Sequence, residues 1–85
     1  VFKVKVVVRR RSSILDPYGK AVEQGAKLLG IKNVRSVRIN KEIDFLVQTD
    51  DEELAQKEVI ELCGKLLANP IMEDYEFKLE RTDDN

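Results

Sequence analysis

The run Arg9-Arg10-Arg11-Ser12-Ser13 is the stretch whose residue types come closest to chemistry. Three guanidiniums followed by two hydroxyls are the donors a phosphate group takes. The run lacks glycine, however, and phosphate cradles rely on glycine to let successive backbone amides converge on the anion. A solvated loop is therefore the expectation, with its arginines held apart by water and salt. A second cluster, Asp50-Asp51-Glu52-Glu53, has the carboxylates of a metal site but no Gly-centred ligand loop. It reads instead as a helix start, with Asp50 as cap and the acids complementing the helix dipole. The one cysteine, Cys63, lies on an apolar helix face, where a buried structural thiol is expected. There is no histidine, which removes the commonest general base and the commonest metal ligand together. No catalytic residue, metal site or cofactor is expected.

The elements that would position these residues are those of one small domain. At 85 residues the chain has a modest core, and association with itself or a partner would add stability. Fifteen basic and 16 acidic side chains give a net charge of -1, so nothing draws the chain at long range towards nucleic acid or anionic membrane. No apolar run approaches the ~20 residues that span a bilayer. The opening VFKVKVVV alternates with lysine and lacks a small-residue cleavage site, so no signal peptide is expected. One cysteine with no partner points to a reducing, cytoplasmic setting.

In the first strand Phe2, Val4, Val6 and Val8 share one parity and Lys3, Lys5, Val7 and Arg9 the other. Leu15-Asp16-Pro17 starts a helix, with Asp16 as cap and Pro17 at the first helical position. Its buried stripe reads Val22, Ala26 and Leu29, with Gly25 set for close approach to a sheet, and Gly30 suits a left-handed cap. A second strand is expected over Val34–Asn40, a turn at Lys41-Glu42 with Asn40 at positive φ, and a third strand over Glu42–Thr49 with Ile43, Phe45 and Val47 inward. The second helix runs to about Leu67 on a stripe of Ala55, Val59, Leu62, Cys63 and Leu66. Asn69-Pro70 stops it. The last strand, Met72–Glu80, turns Tyr75, Phe77 and Leu79 inward, and 81–85 would fray.

The order β-α-β-β-α-β predicts an α+β fold: a four-stranded antiparallel sheet, two helices on one face, ferredoxin-like in topology, with the first and third strands central. That architecture serves unrelated functions. An acylphosphatase-like enzyme would use Arg9–Arg11 and Asn40, but the glycine-free loop and the place of Asn40 at the end of the second strand argue against it. An RNA-binding face would need aromatics where the central strands carry Lys3, Lys5, Val7, Asp44, Leu46 and Gln48. An amino-acid-binding domain of the ACT kind would use Asp16 and Gly19. A non-catalytic subunit would use Val7 and Leu46 as an apolar patch on the open sheet face.

Three blocks carry a family resemblance: LDPYGKAV at Leu15–Val22, VRSVRINK at Val34–Lys41, and LCGKLLANPIMEDYEF at Leu62–Phe77. They resemble the PurS family, the small subunit of phosphoribosylformylglycinamidine synthase, in its LDPxGxAV helix start and CxKLLANPxIEDY block. Asn40 stands where that family usually has glycine, and Ile71-Met72 where it has a variable residue and then an aliphatic one. The resemblance implies a subunit without catalytic residues or cofactor, acting in de novo purine biosynthesis. Its partners would be a glutaminase subunit and a large ATP-dependent synthetase subunit, which it would bridge to support ammonia transfer. It also implies a homodimer or tetramer. Asp16, Pro17, Gly19 and Lys20, the Asn69-Pro70 turn, and Val7 with Leu46 are the interface candidates. An ACT-like regulatory domain is the alternative.

Overall fold

Alternation along the first nine-residue strand decides the core. The computed structural model describes residues 1–83, and in it β1 (Phe2–Arg10) buries Phe2, Val4, Val6 and Val8, each at most 1% exposed. Removing such a side chain from water contributes about 1.5–3 kcal/mol. β1 is the middle strand of a three-stranded antiparallel sheet. On one side lies β2 (Lys41–Val47), with Val6 opposite Ile43; on the other lies β3 (Glu73–Arg81), with Val6 opposite Phe77. Ile43, Phe45 and Val47 of β2 turn inward as their parity predicts, and so do Tyr75, Phe77 and Leu79 of β3. β3 runs one residue past its expected end. The Arg81 guanidinium sits 4.8 Å from the centre of the Phe2 ring, and the Thr82 amide donates to the Val1 carbonyl at 2.9 Å. The fraying expected for 81–85 thus does not hold at Arg81, and residues 84–85 lie outside the described residues.

Helix α1 (Pro17–Leu28) starts where Asp16 caps it. Helix α2 (Glu52–Leu62) is capped by Asp51 rather than Asp50. The Asp51 carboxylate accepts from the Glu53 and Leu54 amides at 3.0 and 3.3 Å, and the Thr49 hydroxyl accepts from the Asp51 amide. Asp50 is left to face the Val1 nitrogen and, through its carbonyl, Arg81. α2 buries Ala55 and Val59 and continues as a π-helical turn over Cys63–Leu67. There the Ala68 amide reaches back five residues to the Cys63 carbonyl at 3.0 Å. The extra residue in that turn rotates the apolar stripe. Leu66, expected inside, is 74% exposed, and Ala68 takes a place in the core.

The expected second strand is absent, so the sheet has three strands and not four. Residues 34–40 join no strand ladder, carry a positive φ at Ser36, and run into β2 without a turn. Among the described residues only Ser36 and Gly30 have positive φ, at 59° and 84°; Asn40 does not, so the hairpin expected there does not form. Without it, α1 does not fold back onto its own sheet. No α1 residue belongs to the core or packs against it. Val22 is half exposed and Leu29 is 80% exposed, and a methyl group on Gly25 would meet nothing within 4 Å. The close approach foreseen for Gly25 is absent. The radius of gyration, 16.8 Å, exceeds the about 12 Å of a compact chain of this length, and the molecule measures 51 × 28 × 15 Å. It is a sheet with one helix against it and an arm reaching from one end.

Candidate functional site

The base of the arm is built around one carboxylate. Asp16 is 5% exposed. Its Oδ1 accepts from the Tyr18 and Gly19 amides, both at 3.0 Å, and its Oδ2 from the Ile39 amide at 2.9 Å. The Ile39 bond, with those from Gly19 and Tyr18 and the nearby Arg10 charge, holds the Asp16 carboxyl below its ordinary value. One side chain thus caps α1 and ties residue 39 to it. Gly19 completes the joint, because any Cβ there would sit on the Val37 carbonyl oxygen. Arg38 closes the other side, donating to the carbonyls of Ile14 at 2.6 Å and Ser12 at 2.8 Å. Asp16 and Gly19 are therefore spent on structure. An ACT-like site would need both open. Pro17 and Lys20 of the same motif are exposed, as are Leu15 and Tyr18.

The second candidate, Asn69-Pro70, forms a turn tied on every side. The Asn69 amide donates to Glu73 at 2.8 Å, its side-chain oxygen accepts from the Ile71 amide at 3.0 Å, and its carbonyl accepts from Met72 and Glu73. Arg11 anchors the turn to the end of β1, donating to the Pro70 carbonyl at 2.7 Å while its backbone amide donates to the Met72 carbonyl. Ile71 stands 78% exposed beside the turn, with Leu66 nearby in sequence and equally open. Spacing places Leu66 in the buried stripe and marks neither residue as an interface candidate. The family-like block contains both, and the π-turn over Cys63–Leu67 shows why Leu66 faces solvent.

The two segments share one end of the sheet, where β1 ends and β2 and β3 begin. The arginines lie between them, and most are committed. Arg9 pairs with Glu76 at 2.7 Å, Arg11 with Asp74 at 3.2 Å, and Arg38 with the two carbonyls above. The solvated loop expected of Arg9–Ser13 is thus a set of ties, with Arg10 bearing on Asp16. Val7 lies near this end, opposite Glu42 and Glu76, whereas Leu46 lies near the other, opposite Lys3. Lys5 and Asp44 stand between them, so the two do not form a patch. Burial pushes the Cys63 thiol above its ordinary range, away from the reactive thiolate. Among the described residues no three Cys, Asp or Glu side chains gather as a metal site. No helix of the described residues is long and apolar enough to cross a membrane.

Comparison with known proteins gives one consistent answer. A family model described as PurS, phosphoribosylformylglycinamidine (FGAM) synthase, matches residues 3–81. The subunit PurS of phosphoribosylformylglycinamidine synthase from Methanocaldococcus jannaschii is 37% identical over 95% of this chain and 98% of its own. Its crystal structure superposes with a TM-score of 0.84 at 36% identity, covering 98% of this chain and all of that one. The Bacillus subtilis subunit is 39% identical over 94% of both chains, and its structure covers 95% of this chain and all of that one with a TM-score of 0.86. A chain in the structure of PurLQS from Thermotoga maritima matches with a TM-score of 0.81 at 32% identity, covering 93% of this chain and 96% of that chain.

Proposed function

This chain belongs to the PurS family, and on that premise we propose that it is the small, non-catalytic subunit of a phosphoribosylformylglycinamidine synthase in purine biosynthesis. It bridges a glutaminase subunit and a large ATP-dependent synthetase subunit and supports the passage of ammonia between them, in the cytoplasm, as a homodimer or a tetramer. The observation that carries the reading is the match over nearly the whole chain to a chain of the Thermotoga maritima PurLQS structure. The geometry agrees with it. Polar groups at the arm base and the Asn69-Pro70 turn are satisfied within the chain, and Pro17, Lys20, Leu66 and Ile71 are left exposed around them. Such surfaces suit docking.

The test is co-sedimentation of the full chain with the large synthetase and the glutaminase, in the presence of glutamine and nucleotide. A three-part complex is expected. If neither subunit binds at micromolar concentration, the adaptor role is lost. Lys20→Glu and Ile71→Asp are expected to weaken capture about tenfold, equivalent to ~1.4 kcal/mol each, with the urea midpoint of the isolated chain unchanged.

A further inference from the structure

The arginines at the end of β1 are not used up by the ties they make. With Arg38 and Asn40 they line a cavity of about 430 Å³, on whose wall Asp74 is the sole acid. Arg38 also lines a second cavity, of about 310 Å³, at the base of the arm, together with Lys20 and Arg35. The two cavities adjoin at that shared side chain and form one open groove. Six basic side chains line it against three acidic ones. The chain as a whole stands at -1, so this basic excess faces an acidic excess spread over the rest. Among the described residues neither Arg10 nor Arg35 forms a salt bridge, and the Ser12 and Ser13 hydroxyls make no hydrogen bond. Arg38 gives two N–H groups to the carbonyls of Ile14 and Ser12. Those acceptors are neutral, so its charge stays uncompensated and the rest of its planar fork stays open. A guanidinium already fixed in place loses little freedom on binding, which makes Arg38 an anchor.

We propose that this groove takes an acidic segment of a partner subunit, whose Asp and Glu side chains lie from the end of β1 across Arg38 to the base of the arm. The inference rests on the adaptor reading above and names the surface that serves it. Guanidinium forks match carboxylates in pairs of parallel hydrogen bonds, and the donors here are mostly arginine. They are spread along two cavities instead of gathered at a point, and no glycine lets backbone amides converge on a single anion. That arrangement fits a row of carboxylates better than one phosphate. Leu15 and Tyr18 stand exposed at the arm base, and Ile71 stands exposed by the turn that Arg11 holds, so the same segment finds apolar ground at both ends. The opposed charge of groove and remainder also orients an approaching acidic partner, an attraction that salt screens.

The test measures capture of the full chain by the large synthetase and by the glutaminase over rising salt. The parent chain is compared with Arg35→Glu, Arg10→Gln and Lys57→Glu. Lys57 is exposed on α2, lines neither cavity, and makes the same change of charge as Arg35→Glu. Neither arginine holds a salt bridge, so both variants should fold, as circular dichroism reads. At low salt Arg35→Glu is expected to weaken capture by one subunit about tenfold or more, and Arg10→Gln by about threefold. Both losses shrink as salt rises, while Lys57→Glu stays within about twofold of the parent. Equal losses from Arg35→Glu and Lys57→Glu overturn the groove, since net charge alone would then be at work. Parental capture by both arginine variants also overturns it and leaves the adaptor reading standing. If the parent chain binds neither subunit, the adaptor reading falls and the groove's occupant with it. Millimolar inorganic phosphate at fixed ionic strength should leave the melting temperature of the isolated chain unchanged. A rise that Arg35→Glu abolishes would give the groove to a small anion and overturn the acidic segment.

Discussion

A methyl group at Gly19 would collide with the Val37 carbonyl oxygen and lie 2.9 Å from its carbon. Backbone cannot move aside as a flexible side chain can, so Gly19→Ala is expected to destabilise the arm by about 1–3 kcal/mol. Gly25→Ala, six residues on in the same helix, meets nothing within 4 Å and should stabilise α1 by about 0.5–1 kcal/mol. Urea titrations followed by helical circular dichroism give the two signs. Asp16 adds a pH dependence. Its folded carboxyl titrates below its ordinary 3.8, so its contribution is fully present above that value and is lost as pH falls through the lower, folded one. Asp16→Asn has no such titration. The stability gap between the two proteins should therefore be constant above pH ~4 and shrink below it, as acid titration at fixed urea would measure.

Between elements, the π-turn after α2 separates leucines that look alike in the sequence. Val59→Ala opens the core and should cost about 2 kcal/mol or more, while Leu66→Ala should change the stability of the chain by no more than about 0.5 kcal/mol. Chemical denaturation of both distinguishes the π-turn from a continuous α-helix, in which Leu66 would face inward. The elements legible in advance were those whose cause is local. Asp16-Pro17 announces a helix start because cap and first turn are neighbours. Phe2 to Val8 announces a half-buried strand because parity needs no partner to be seen. What stayed hidden depends on distant groups. Nothing in Leu62–Leu67 marks a bond reaching back five residues. Val34–Asn40 has strand character, but a strand also needs an edge to pair with, and whether the chain turns at Asn40 or runs straight is decided beyond the segment. The likeness to PurS was readable because its three blocks mark the cap, the arm and the turn. How the candidates were arranged was not, since the register of β1 against β2, which parts Val7 from Leu46, is set by the whole sheet.

For the molecule as a whole, a three-stranded sheet with one helix and a reaching arm should not melt as an independent unit. If folding and association are linked, the thermal midpoint rises with protein concentration by mass action. Calorimetry over a hundredfold range of concentration should show that rise, and a constant midpoint would mean that the chain folds alone. Cys63 supplies a clock for the same process. It is the sole thiol, 0% exposed beneath the sheet, with its thiolate disfavoured. An alkylating reagent can reach it only when α2 lifts from β1, and the labelling rate then counts openings of the core. Swinging of the arm leaves that sulfur covered and passes unrecorded. The rate of thiol capture, with and without partner subunits, would thus time the breathing of the sheet separately from the movement of the arm.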